Sequence, residues 1–106
     1  MPKFKMLVLS NAVDARDEEF NRWYDEVHLS DVFKVPGVTG AERYRMRSGD
    51  GWKYLAIYEL ECDDPSAVEQ ELMARAGTDA MQMTDAFDMQ SFFMGSAEVI
   101  TPFRAA

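Results

Sequence analysis

The chain has 106 residues, 47% of them apolar, enough to bury one core and so predicting one domain over residues 1–106. Nineteen acidic residues against eleven basic ones leave a net charge of −8, which argues against a nucleic-acid partner and against an anionic membrane surface. The lone cysteine, Cys62, excludes an intrachain disulfide and a thiolate zinc cluster.

No segment has the length and apolarity needed to span a bilayer. The apolar run Met6–Leu9 is too short for a secretory leader and turns acidic soon after Asn11, so a reduced, cytoplasmic setting is expected.

Lys3 to Ser10 reads as a strand, apolar on both parities as expected of one covered on both faces. A helix follows, with Asp14 as N-cap and Asp17, Glu18 and Glu19 favouring its dipole, stopped by Pro36-Gly37. Val38 to Arg47 is the second strand. One parity carries Val38, Gly40, Glu42, Tyr44 and Met46, and the other carries Arg43, Arg45 and Arg47. Ser48-Gly49-Asp50-Gly51 turns the chain into an antiparallel third strand, Trp52 to Glu61, with Trp52, Tyr54, Ala56, Tyr58 and Leu60 on one side. Asp63-Asp64-Pro65-Ser66 opens a second helix with a stripe of Val68, Leu72, Met73 and Ala76, ended by Gly77. Thr78 to Phe87 reads as a further short helical piece, and Met89 to Thr101 as the last strand.

The order βαββαβ predicts an α+β fold of ferredoxin-like type, a four-stranded antiparallel sheet with both helices on one face. The strands are apolar on both parities, so a second copy packing sheet on sheet is expected: a homodimer through the sheet face.

His28 is the only histidine. At roughly 100° per residue, Phe20, Trp23, Tyr24, Val27, Asp31 and Val32 fall in one arc, and His28 lies inside it, roughly 40° from Tyr24. The one side chain that ordinarily titrates near neutrality is thus turned inward beside a phenol and a carboxylate, which suits general acid/base work. The plainer reading is a packed core or interface histidine.

Tyr44 and Tyr54 sit close across the hairpin and, with Trp23, suit the wall of a pocket for a ring bearing oxygen. Met73, Met81, Met83, Met89 and Met94 cluster in the second half, as core filling or as an adaptable apolar wall. Three carboxyl or imidazole ligands for a metal are not apparent, acidic neighbours suppress the Cys62 thiolate, and no phosphate loop is present, so neither metal nor cofactor is expected.

The run Phe20-x2-Trp23-Tyr24-x3-His28-x7-Pro36-Gly37-x6-Tyr44-Arg45 resembles the dimeric α+β barrel superfamily, in particular its EthD-like and stress-responsive branches, over roughly residues 3 to 60. The resemblance implies a dimeric barrel and a cofactor-independent enzyme acting on a small apolar ring compound: a phenol, lactone, quinone or polyketide-like substrate. An isomerase, cyclase, dehydratase or cofactor-free monooxygenase would all fit. It makes His28, Tyr44 and Tyr24 the catalytic candidates, and Trp23, Asp31, Tyr54, Phe20 and Met94 the substrate-binding ones. Two alternatives stand beside it: a non-catalytic ligand-binding or stress-responsive dimer, and a heme-dependent or heme-degrading protein.

Overall fold

Lys3–Ser10 forms β1 over the range that its apolar run predicts. It pairs antiparallel with β3 (Tyr54–Glu61) on one side and β4 (Phe93–Ala97) on the other, and β2 (Val38–Arg45) pairs with β3 at the edge. The computed structural model describes residues 1–105 and has the expected βαββαβ order, with strands arranged β2-β3-β1-β4. A central strand has neighbours above and below, which is why β1 carries buried Met6 on one face and half-buried Leu7 and Leu9 on the other. No helix among the described residues is long and apolar enough to cross a membrane.

Between β1 and β2 the chain is helical, as expected, but not as one regular helix. It is α1 (Asp17–Trp23), a π-helical turn (Tyr24–His28) and α2 (Leu29–Val32). The inward arc holds: Phe20, Trp23, Tyr24 and Val32 are buried, while Glu18, Arg22, Asp25 and Glu26 are exposed. Asp14 is not the N-cap. Arg16 donates to the Val13 carbonyl and Ala15 takes a left-handed φ of 65°, so the chain is still turning at Asp14 and the helix begins at Asp17. α3 (Pro65–Arg75) matches its local signals, with the Asp64 side chain accepting from the Ser66 amide and proline at the first position.

The second half departs from expectation where threonines intervene. Thr78 to Phe87 is not helical: the Thr78 hydroxyl donates to the Arg75 carbonyl and accepts from the Ala80 amide, and Thr84 accepts from Ala86. These local bonds compete with helical ones. Met81 and Phe87 still turn inward. The last strand is Phe93–Ala97 rather than Met89 to Thr101, because Asp88 accepts from the Gln90 amide in a turn before it. Trp52 lies in the hairpin loop, outside β3, and β2 stops at Arg45.

The largest consequence for function comes from one residue in β2. Val38 pairs with Leu60 but Gly40 already pairs with Glu59, so a bulge at Thr39 shifts the register. A bulge of one residue exchanges the two faces of the strand beyond it. Arg43 therefore lies opposite Ala56 on the helix-covered face, and Tyr44 lies opposite Leu55 on the outer face, 42% exposed.

The core is built on the helix-covered face, where Phe20 is fully buried within 5.1 Å of the Tyr54 ring, 5.5 Å of Tyr24 and 5.8 Å of Phe87. Truncating such a side chain removes its transfer energy and leaves a cavity. Phe20→Ala is expected to cost about 3–5 kcal/mol, read as a lower urea midpoint.

Candidate functional site

A cavity of about 70 Å³ lies between the helices and the sheet. Its polar side is made by His28, Tyr24 and Tyr58, and methionines supply much of its apolar wall: Met6, Met73, Met81, Met83, Met89 and Met94. Of these, Met73 and Met89 are 50% and 55% exposed, so the opening lies between α3 and the segment before β4.

The π turn determines where His28 points. On a regular helix, residues five apart are separated by roughly 140°, so Trp23 and His28 would diverge. A π turn closes bonds from i to i+5 and brings those positions into line. The Trp23 indole and His28 imidazole are stacked, with centroids 4.4 Å apart and planes 25° from parallel. The Trp23 Nε1 donates to the Gln82 carbonyl, at 3.0 Å, which anchors the stack to the segment before β4. Tyr24 meets the same imidazole edge-on at 5.0 Å.

Among the described residues His28 Nδ1 is buried without a hydrogen-bond partner, so Nε2 is the nitrogen left to exchange a proton. Loss of water lowers the imidazole pKa to about 4; Asp31 opposes this and Arg43 adds to it. His28 is therefore neutral at pH 7.

Tyr24 and Tyr58 are both buried, and the Tyr58 hydroxyl donates to the Tyr24 oxygen at 3.3 Å. No acceptor for the Tyr24 proton is found among the described residues, so that proton is available to a ligand oxygen. Burial raises both phenol pKa values, Tyr58 well above the ordinary one. Behind the pair stands Arg43. Its guanidinium lies 4.2 Å from the Tyr24 ring centroid and donates to Asp25 Oδ1 at 2.9 Å and Asn21 Oδ1 at 2.7 Å. Its charge opposes the rise in both phenols.

The expected site residues separate into three groups. His28, Tyr24 and Met94 line the cavity together. Trp23 and Phe20 support them from within the core, and Asp31 reaches His28 only through its charge while pairing with Lys34 at 3.6 Å. Tyr54 and Tyr44 are elsewhere. The Tyr54 hydroxyl donates to Asp17 Oδ2 at 2.6 Å, beyond Phe20 from the cavity. Tyr44 cannot face His28, because the Thr39 bulge has put it on the opposite side of the sheet. Tyr58, inward on β3 by simple alternation, occupies the place expected for Tyr44. Arg43 is legible in the sequence only as one of three arginines on a single strand face, suited to carboxylates; in the structure it takes the Asp25 carboxylate and the Asn21 amide oxygen.

No protein-family model matches the sequence, and no curated protein matches it. Among solved structures, the chain is similar to an EthD (ethyl tert-butyl ether D) family protein from Bacillus halodurans. The TM-score is 0.56 at 13% identity, covering 92% of this chain and 99% of that one. It is also similar to HapK from Hahella chejuensis, with a TM-score of 0.54 at 12% identity over 97% and 99% of the two chains. The chain thus shares its α+β fold with an EthD-family protein and with HapK over nearly its whole length, in agreement with what the motif resemblance implies.

The buried neutral imidazole makes stability depend on pH. Its folded pKa, about 4, lies below the 6.5 of the unfolded chain, so the unfolded state binds more protons between these values. The contribution is intact above about pH 6.5 and is lost as pH falls toward 4, by up to about 3 kcal/mol. Urea unfolding at several pH values should show this slope in the native protein and lack it in His28→Gln. The imidazole resonances should titrate near pH 4.

Proposed function

We propose that this protein is a cofactor-independent enzyme that moves a proton on a small apolar ring compound bearing a hydroxyl, carbonyl or lactone oxygen. The observation that carries this reading is the convergence of three polar side chains on one apolar cavity: the neutral imidazole of His28 and the hydrogen-bonded phenols of Tyr24 and Tyr58. Cavities of this composition orient a ligand through their few polar groups. His28 accepts a proton from a phenol or from carbon next to a carbonyl. The Tyr24 hydroxyl donates to the oxygen on which charge develops. Isomerisation, cyclisation, dehydration and cofactor-free oxygenation all begin with this step. A π turn at the base-bearing residue agrees with the frequent placement of such turns at functional sites.

The cavity is smaller than a bound ring requires. Methionine side chains, with three rotatable bonds and no branching, can move to admit one. This is the functional role assigned here to the methionine wall and to Met94 within it.

A second reading, a ligand-binding protein without turnover, is favoured by one specific feature. Among the described residues no carboxylate is hydrogen-bonded to Nδ1, so the imidazolium that a base must pass through is supported by Asp31 through its charge alone. His28→Gln separates the two readings. An enzyme loses about 10²–10⁴-fold in turnover; a binder keeps its affinity within a few-fold.

The assembly proposed is a homodimer through the outer sheet face. Leu7, Leu9, Leu55 and Ile57 form the centre of that face, and Tyr44 and Phe93 stand exposed on it. A chain of this size seldom leaves such a face to water. Sedimentation equilibrium at micromolar concentration is expected to give twice the chain mass, and Ile57→Glu to give a monomer. A native monomer would remove the dimer from the proposal.

A further inference from the structure

The cavity and its surroundings differ in one respect that bears on what can bind. Among the described residues no arginine, lysine, aspartate or glutamate lines the cavity. Arg43, against the Tyr24 ring, does not line it; its side chain is only 14% exposed, Nη1 donating to Asp25 and Nη2 to Asn21. It cannot reach a ligand in the cavity, but its field does.

Resting on the ring-ligand reading above, we infer that the site takes only ligands that arrive uncharged and carry an acidic O–H or C–H, and that Arg43 is the positioning residue that sets the direction of charge separation once they are inside. A carboxylate or phosphate ester would bring an anion into an apolar cavity that offers it no direct cationic partner, and the loss of hydration opposes this. A neutral phenol or enolisable ketone meets no such barrier. When its O–H or C–H bond breaks, the electron pair stays on the ligand, its charge falling on the oxygen, and the proton forms the Nε2–H bond of His28. The two new charges face each other and compensate each other's desolvation.

Arg43 orients that pair. Its guanidinium lies 4.2 Å from the Tyr24 ring centroid, and the His28 ring meets the same centroid edge-on at 5.0 Å. A positive charge on this side favours the anion at the tyrosine end and disfavours a cation there. The same geometry explains why Arg43 acts on Tyr24, Tyr58 and His28 together. Asp25, 61% exposed in its side chain, partly balances Arg43 from the solvent side, so the strength of the field is adjustable without touching the cavity.

The experiment uses two probes of similar size and shape, 4-nitrophenol in its protonated form and 4-nitrobenzoate, with the full-length protein. Binding is followed through the single histidine's ring resonances and through nitrophenolate absorbance. The phenol is expected to bind at least about tenfold more tightly than the benzoate. Its apparent pKa when bound should rise by about one unit in Arg43→Gln and fall in Asp25→Asn. Without ligand, the His28 titration should move up in Arg43→Gln and down in Asp25→Asn. Opposite shifts in the two variants cannot come from partial unfolding, which would move both toward free histidine.

Equal or tighter binding of the benzoate overturns the restriction to neutral ligands and leaves the ring-ligand reading standing. Shifts of the same sign in both variants, or none, overturn the role of Arg43. If neither probe binds, the cavity is not a ring site and both readings fall.

Discussion

Tyr24 is held on each side by a different kind of contact. Phe20 and Trp23 meet its ring edge-on at 5.5 and 5.2 Å, His28 does so at 5.0 Å, and the Arg43 guanidinium covers it at 4.2 Å. Its hydroxyl is fixed by Tyr58. Move this one residue and the core aromatic stack, the imidazole and the buried cation all lose a neighbour. The first helical segment and the edge strand β2 meet through it, since Arg43 comes from β2 and bonds Asn21 and Asp25 on either side of Tyr24. The cavity is the space left on the far side of this arrangement, where α3 and the irregular segment before β4 do not fully close.

Where a structural feature had a local cause, it was readable. β1 and α3 follow from an apolar run and from an Asp-Pro-Ser start, and both have the expected bounds or nearly so. The inward face of the first helical segment was readable too, because buried and exposed positions differ sharply in chemistry. What could not be read were two insertions of a single position into a regular repeat. The π turn adds a residue to the helix between Trp23 and His28, and the bulge at Thr39 adds one to β2. Neither carries a proline or a charge pattern to mark it. Each leaves the residues before it in phase and moves those after it.

The two insertions had opposite effects on the reading of the site. The π turn left His28 inward and gave it a stacking partner that a regular helix would have denied it. The bulge removed Tyr44 from the cavity side and substituted Arg43. Tyr58 was legible as an inward residue of β3, but only the fold shows that its hydroxyl meets Tyr24. Met94 was legible as part of a methionine cluster and does line the cavity with five others, because the second half of the chain, poor in regular structure, wraps that side.

The bulge has a consequence for how such a site can change over generations. Most point substitutions alter one side chain in place, whereas a change that straightens β2 at Thr39, with no residue gained or lost, would reassign the whole distal half of the strand at once. Arg43 and Tyr44 are consecutive in the chain and lie on opposite faces of the sheet, so pairing Thr39 into the ladder would offer a phenol to the space beneath the helix and send the guanidinium outward, whereas deleting Thr39 would straighten the strand and leave both where they are. The strand stores two alternative linings for one scaffold, and loss of the bulge with Thr39 retained exchanges them. Relatives of the same strand length that lack the bulge should therefore face Tyr24 with a neutral side chain in place of a cation.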